Sequence, residues 1–557
     1  MDLRAARFFV ALCFVLSSCG DDPQSQTIVY LYADADVATT AETLRVTVVA
    51  EGATVFGPRE RGLDRSVRRV ARIPLIPRNG DANRSFEVIA ELLDGGGAVL
   101  AELRVGGGYV TGELRDIHAV FDPECVGLPS CGEGRTCFAG ECVSACYEAQ
   151  PPTDSRTDRP SCGACSQCQN AECIGVSDGA ECGCGDRCLA GQCDVQAPVT
   201  EFDLHRGHAC ATFGGRVQCW GTNHALRIPA DTNVPTPIEL PGPGSIAAGA
   251  ASTCIAFQES GPTDRRACAG FNADGRLAIG IDGGNVSPIT PATDPEPGWQ
   301  QLEGGLNHFC GLSRSQEVFC WGQDGFAVGE PELLSTPTRF LDEVGFVDLD
   351  LDWQSTCAVH RDGRIVCFGL NDQNQLGRPD GTSTGPGCVE EEDGRCATGF
   401  SDVGLWNGSS CGVRDGRLLC WGDASPVRGN ADQTSVPTTQ FDRSDVVSVD
   451  VGFTYGCLTT ESGGALCWGN NNQGQLGDGT LLDRLEPAPL AVTGDVVVRQ
   501  LVAGPMTACA VDNIGRLWCW GSDLAVAPGT DPEPGLLGRG ATPGRANIPR
   551  RVCPSET

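Results

Sequence analysis

The chain has 557 residues, 32 of them cysteine, and a formal net charge of −32. It contains no lysine, so all 40 basic residues are arginine, which excludes a phosphate-loop lysine, a Schiff-base lysine and a lysine general base. The acidic excess argues against nucleic acid or an anionic membrane surface as a partner, because both call for a basic face.

In chain order, Arg4 and Arg7 lead into an apolar run over 8–16 and then Ser17-Ser18-Cys19-Gly20. Basic residues, a short apolar stretch and small residues before a cysteine look like a bacterial lipoprotein signal. Residues 1–18 are expected to be removed, with Cys19 lipidated and 19–26 serving as a tether. The residue after Cys19 is glycine and not aspartate, which favours the outer membrane or cell surface, with a periplasm-facing orientation left open. The apolar run is too short to span a bilayer, and no later segment reaches about 18 apolar residues, so the lipid is the expected membrane contact.

Residues 27–123 read as a small β-sandwich. Segments 27–32, 44–50, 70–76, 85–92, 98–105 and 117–121 are rich in β-branched residues and separated by turn residues such as Asn79-Gly80-Asp81 and Gly95-Gly96-Gly97. No helical pattern follows the glycine run, which therefore reads as a hairpin loop and not as a phosphate cradle.

Residues 124–196 form a cysteine-rich module with 13 cysteines between Cys125 and Cys193. The order cysteine, glycine, four residues, cysteine, four residues, cysteine occurs three times. The copies are Cys131, Cys137 and Cys142; Cys162, Cys168 and Cys173; and Cys182, Cys188 and Cys193. Three small disulfide-stapled loops are expected, loosely similar to growth-factor-like extracellular modules. Zinc is the competing reading, since Cys162, Cys165 and Cys168 have ligand-like spacing. Export and the lack of histidine in this stretch weigh against it.

Residues 197–557 carry seven copies of one cysteine-bracketed hairpin, each closing on a cysteine, an aromatic residue or alanine, and a glycine. The expected disulfide pairs are Cys210 with Cys219, Cys254 with Cys268, Cys310 with Cys320, Cys357 with Cys367, Cys411 with Cys420, Cys457 with Cys467, and Cys509 with Cys519. Their first cysteines recur every 44 to 56 residues, and such a period with strand-like content points to propeller blades. Asp415-Gly416 and Gly214-Gly215 suit two-residue turns that oppose the flanking cysteines at a non-hydrogen-bonded site, where Cα atoms are about 4.5 Å apart and a disulfide fits. Copies four, six and seven have three-residue loops ending in Gly363, Gly463 and Gly515, which keep that register. The third copy has Arg314-Ser315-Gln316 with no glycine, and the second has a longer loop. Cys388 and Cys396 flank an acidic insertion and are expected to pair with each other. With Cys13 and Cys19 set aside, an even number of cysteines remains, and Cys553 is a candidate partner for Cys193.

The stretch Cys467-Trp468-Gly469-Asn470 through Gly474-Gln475-Leu476-Gly477, echoed by Gly369 to Gly377, resembles the regulator-of-chromosome-condensation family. That resemblance implies a seven-bladed β-propeller. The tryptophans stand next to the hairpin cysteines, hence on the opposite strand face, and are expected to fill space between blades, with a functional aromatic ring the sharper alternative. Copies three, five and seven keep little of the pattern beyond the hairpin.

Catalytic constellations are weak. Gly408-Ser409-Ser410-Cys411-Gly412 matches G-x-S-x-G but lacks the strand-turn-helix setting of a nucleophile elbow. His208 and His308 stand two residues before a hairpin cysteine and are expected to hydrogen-bond within their blade. Asp348, Asp350 and Asp352 alternate with leucines, which reads as a solvated strand edge, with calcium binding the sharper alternative.

The expectation is an all-β protein: a propeller preceded by a small sandwich and a disulfide-rich module. It has no catalytic residue, cofactor or metal, and binds a protein partner through the variable segments after each blade glycine, such as 322–337 and 422–437. An exported enzyme inhibitor with the same propeller type is the alternative. Guanine-nucleotide exchange, which the family resemblance implies, fits an exported chain poorly.

Overall fold

The computed structural model describes residues 26–554 apart from segments in the connections, chiefly 146–165, 176–186, 222–231, 239–244, 292–297, 323–333 and 526–532. The signal, Cys19 and the tether as far as residue 25 lie outside the described residues.

Seven strands open the chain: β1 (Gln26–Ala33), β2 (Thr43–Ala50), β3 (Ala53–Gly62), β4 (Arg69–Leu75), β5 (Ser85–Leu93), β6 (Val99–Gly108) and β7 (Leu114–Phe121). They form two sheets, in the orders β4-β1-β7 and β3-β2-β5-β6, around one core that includes Leu31, Val88, Leu103, Val105 and Phe121. Buried and half-buried residues alternate along β2 and β5, as expected for strands with one face on a core. β3 is an addition to the sequence reading. It pairs only with β2, across two register shifts, and its residues are largely exposed, so it has no apolar alternation to announce it.

Three short hairpins follow, each with a cysteine directly opposite another: Cys137 with Cys142, Cys168 with Cys173, and Cys188 with Cys193. In the first hairpin the opposed cysteines do not bond to each other. Bridges run from Cys125 to Cys137 and from Cys131 to Cys142, an interlaced pair that ties the hairpin to the chain before it.

From Val199 onward the described residues fold into seven four-stranded antiparallel sheets in up-and-down order. In the fifth they are Phe400–Trp406, Ser409–Arg414, Arg417–Gly422 and Thr434–Thr439. The innermost strands touch one another in sequence around a common axis, and the last, Val498–Ala503, returns to the first, Val199–Leu204. Hydrogen bonds close that junction: Arg499 donates to the carbonyls of Val199 and Thr200, and Gln500 to that of Phe202.

Each middle hairpin places its two cysteines in direct register and bonds their sulfurs. Cys210 joins Cys219, Cys254 joins Cys268, Cys310 joins Cys320, and Cys357 joins Cys367. Cys411 joins Cys420, Cys457 joins Cys467, and Cys509 joins Cys519. Their Cα atoms stand 4.0 to 4.2 Å apart, closer than the roughly 4.5 Å of an unbridged non-hydrogen-bonded pair. The bridge draws the two strands together. The long loop of the second hairpin does not disturb the pairing, because Asp264 to Arg266 extend its second strand to meet Ala256 to Gln258. Cys388 and Cys396 are also bonded, and Cys553 is disulfide-bonded.

The turns have the backbone this register needs. Asp415 and Gly416 take φ of 51° and 72°, and in the third hairpin Gln316 takes φ 64°, the left-handed position that glycine fills elsewhere. Beyond every hairpin but the fourth the ladder shifts register just before the blade glycine, and the outer strand carries a proline there, as at Pro235, Pro337, Pro437 and Pro487. Proline on an outermost strand removes a donor that would otherwise invite pairing with another chain.

Each bridge closes a short loop and should contribute about 2–3 kcal/mol in the chain-entropy model. Trypsin can cut after Arg414 and Arg417, both between Cys411 and Cys420. The two halves should then travel as one species without reductant and separate with it, as read by mass. Two free thiols at these positions in the native oxidised protein would contradict the register.

Candidate functional site

The repeating polar side chains converge on two places: the seams between sheets and the axis they surround. At the seams, four indoles reach back to the preceding sheet. Trp421 donates to the Gln375 carbonyl at 2.9 Å, Trp520 to Gln475 at 2.9 Å, Trp468 to Val427 at 2.6 Å, and Trp220 closes the ring on Leu536 at 2.8 Å. All four rings are buried. The acceptor loop brings a glycine tightly against the indole. A Cβ on Gly377 would stand 3.0 Å from Trp421 Nε1, and one on Gly477 would stand 2.8 Å from Trp520 Cδ1. The Gly-Gln-Leu-Gly stretch is thus a docking cradle for the next sheet's tryptophan. Leu536-Leu537-Gly538 supplies the same cradle to Trp220, with Gly538 at φ 64°. The seventh copy therefore keeps more of the pattern than its sequence suggests.

The third sheet breaks the rule. At the cradle position the second sheet has Ala278, held at φ 46°. Its methyl stands at the position where a Cβ on Gly377 or Gly477 would crowd the docked indole, and Trp321 Nε1 has no hydrogen-bond partner although the ring is fully buried. Arg266 takes over. It is fully buried, its guanidinium carbon lies 4.3 Å from the Trp321 ring centroid, and it donates to the carbonyls of Leu277 at 2.7 Å and Ala278 at 3.1 Å. The matching position in the other hairpins is apolar, as at Val217, Val318 and Leu418.

The two recurrent histidines also belong to seams, which corrects the expectation that they bond within their own sheets. His208 Nε2 lies 2.5 Å from Thr253 Oγ1 and His308 Nε2 lies 3.3 Å from Thr356 Oγ1, in each case on the following sheet. Burial lowers the His208 imidazole to about 4, and burial followed by the nearby Arg276 charge lowers His308 to about 3. Both rings are therefore neutral near pH 7. Ser410, the serine of the G-x-S-x-G match, is buried and donates to the Gln375 carbonyl at 2.8 Å. Its hydroxyl is spent on the seam.

The axis is lined with carboxyls. The residue opposite the first hairpin cysteine on each inner strand is Asp203, Ala247, Glu303, Asp350, Gly404, Asp450 and Val502 in turn. Asp348 and Asp402 stand two residues earlier on their strands. The solvated-edge reading of Asp348, Asp350 and Asp352 is thereby corrected, because their strand is innermost and the ring encloses it. Most of these side chains keep part of their surface toward the channel, yet protein surrounds them. Several reach across a seam: Ala248 N donates to Asp203 at 2.7 Å, Leu405 N to Asp350 at 2.7 Å, Val449 N to Asp402 at 2.7 Å, and Ala503 N to Asp450 at 2.9 Å. Asp352 instead caps its own turn, accepting from Gln354 N and Ser355 N. Among the described residues, no group of three or more histidine, cysteine, aspartate or glutamate side chains is placed to hold one metal ion.

Desolvation pushes these carboxyls up, and neighbouring carboxylates add to it at Asp203, Glu303, Asp350, Asp402 and Asp450. Asp203 and Asp450 rise to about 7, Asp348 and Asp352 to about 6, and Glu303, Asp350 and Asp402 rise well above their ordinary values. The sequence does carry a signal for the ring: Asp203, Glu303, Asp350 and Asp450 each stand seven residues before a first hairpin cysteine.

Residues 462–511 match the family described as Regulator of chromosome condensation (RCC1) repeat. The chain carries an RCC1 repeat. This one runs from the sixth hairpin turn into the seventh sheet. Protein pim1 of Schizosaccharomyces pombe is 27% identical over 220 residues, which cover 35% of this chain and 40% of pim1. Human RCC1 domain-containing protein 1 is 32% identical over 234 residues, covering 40% of this chain and 58% of the relative. The chain thus spans about half the length of the curated relatives it matches. Among solved structures, human WBSCR16 superposes with a TM-score of 0.52 at 20% identity, over 61% of this chain and 94% of that one, a likeness of fold. The sheets of this chain share the RCC1-like propeller architecture.

Proposed function

We propose that this chain is a lipid-anchored envelope or cell-surface protein whose RCC1-like, seven-bladed propeller is a non-catalytic platform for binding another protein. One observation carries the reading: the recurrent polar side chains that resemble chemistry, His208, His308 and Ser410, are buried and committed to seams. What differs between copies is the connecting segments, which suits recognition by loops on a rigid scaffold. The segments singled out for binding fall largely on 323–333, 424–426 and 428–432, outside the described residues.

The test is a crosslinking pull-down from intact cells with three chains: the native sequence, Cys19→Ala, and one with 323–333 replaced by a short neutral loop. Cys19→Ala should lose labelling by a fatty-acid analogue and leave the membrane fraction. The loop replacement should retain less partner at an unchanged melting temperature. Persistent labelling of Cys19→Ala would remove the anchor. Substrate turnover that vanishes on mutating His308 would replace the platform with an enzyme, and suppression of a purified hydrolase would favour the inhibitor.

A further inference from the structure

The inner strands bring six carboxyls, Asp203, Glu303, Asp348, Asp350, Asp402 and Asp450, to the channel along the axis they surround, where most of them are half-buried. Asp348 and Asp402 come from adjacent sheets, and their carboxyls lie within hydrogen-bonding reach of each other. Two carboxylates cannot make that contact, whereas a carboxylic acid and a carboxylate can, by sharing one proton. The Gln301 amide donates to both Glu303 and Asp348, so it serves two acceptors of the same cluster.

The charged groups facing the Asp348–Asp402 pair are Glu303, Asp350 and Asp450, with Asp203 facing Asp450 in turn. Tyr455, buried, lies beside Asp450. Arg499 faces Glu201 on the first inner strand. Just past the other end of that strand His205 meets Trp406 from the fifth sheet, with ring centroids 5.3 Å apart and the rings tilted by 47°.

We propose that the axial channel is a proton-holding lock: Asp348 and Asp402 share a proton, the surrounding carboxyls hold more, and losing them at alkaline pH loosens the seams that the same carboxyls bridge.

The sign follows from linkage. A carboxyl whose folded pKa is raised stabilises fully below its unfolded value of about 4, and that stability is lost as pH rises through the folded value. For the channel the window of loss runs upward through about 6 and about 7, and beyond for the groups raised further. His208 and His308 act oppositely, losing stability as pH falls below about 6.5 toward their folded values. Carboxyls outnumber them, so folding takes up protons near pH 7.

The experiment is a thermal melt of the full oxidised chain against pH, with Asp402→Asn and the exposed control Asp442→Asn. The native chain should melt lower by about 5 °C or more at about pH 8 than at about pH 5. In Asp402→Asn the amide oxygen still accepts from Val449 N while its N–H donates to Asp348. That variant should lose part of the alkaline decline, and the control should keep it whole. If Asp402→Asn does not fold, proton uptake of the native chain on refolding near pH 7 gives the same reading. A native Tm that does not fall toward alkaline pH, or refolding without proton uptake, would overturn the proposal. So would a decline abolished by calcium, because metal and not protons would then be neutralising the ring.

Discussion

Arg266→Ala is expected to destabilise the ring by about 3–5 kcal/mol, read as a lowered midpoint in reversible denaturant unfolding with the disulfides intact. Two terms add. Truncation leaves a cavity against Trp321, whose ring the guanidinium covers at 4.3 Å, and it strips the carbonyls of Leu277 and Ala278 of a charged donor in a buried site. Arg266→Leu should lose less, since leucine fills the volume and apolar residues occupy this place in the other hairpins. Combining Arg266→Leu with Ala278→Gly should recover most of the loss. Glycine accepts the left-handed φ without strain and clears the space in which Trp321 can dock on the Arg276 carbonyl, as Trp421 docks on Gln375. Additive losses in the double variant would mean that the arginine and the alanine are not exchanging roles with the cradle glycine.

That local exchange marks what the sequence reveals and what it conceals. Hairpins and bridges are legible because they depend on residues within about a dozen positions. Asp415-Gly416 sets a turn, the turn sets the register, and the register opposes Cys411 and Cys420. Gln316 is harder to read, since glutamine at φ 64° gives no signal of its own and only the recurrent opposition of paired cysteines, here Cys310 and Cys320, requires it.

The carboxyl ring recurs in the sequence, seven residues before four of the first hairpin cysteines, but its enclosure is hidden for a different reason. Along one strand, Asp348 and Asp350 alternate with leucines just as a solvated face does. Their enclosure comes from six other sheets distributed over the rest of the ring, and a pattern within one strand does not contain that information. The same holds for His208 and Thr253, which are 45 residues apart and meet only because successive sheets pack face to face. His208, His308 and Ser410 are each engaged by a neighbouring sheet once that sheet is in place. Histidines, serines and tryptophans that recur with the repeat are the means by which one sheet grips the next.

Trp520→Ala, at the last of these grips, is expected to cost about 3–5 kcal/mol, and Trp520→Phe roughly 1–2 kcal/mol. The ring is fully buried, packs against Gly477 and belongs to the core shared by the sixth and seventh sheets. Alanine forfeits that burial, whereas phenylalanine keeps most of it and loses the bond to the Gln475 carbonyl. The seam also fixes where the damage should spread. Amide exchange should quicken on both sides of it, in Tyr455–Thr460 and in Thr507–Asp512, while the hairpin strand Ser355–His360, far around the ring, keeps its protection. The matched comparison is Trp321→Phe, where the indole N–H has no partner to lose. It should cost clearly less than Trp520→Phe when the two are measured side by side. Equal costs would show that the indole hydrogen bond contributes nothing to the seam and that packing alone joins the sheets. A loss of protection confined to the seventh sheet would show that neighbouring sheets unfold independently of the tryptophan between them.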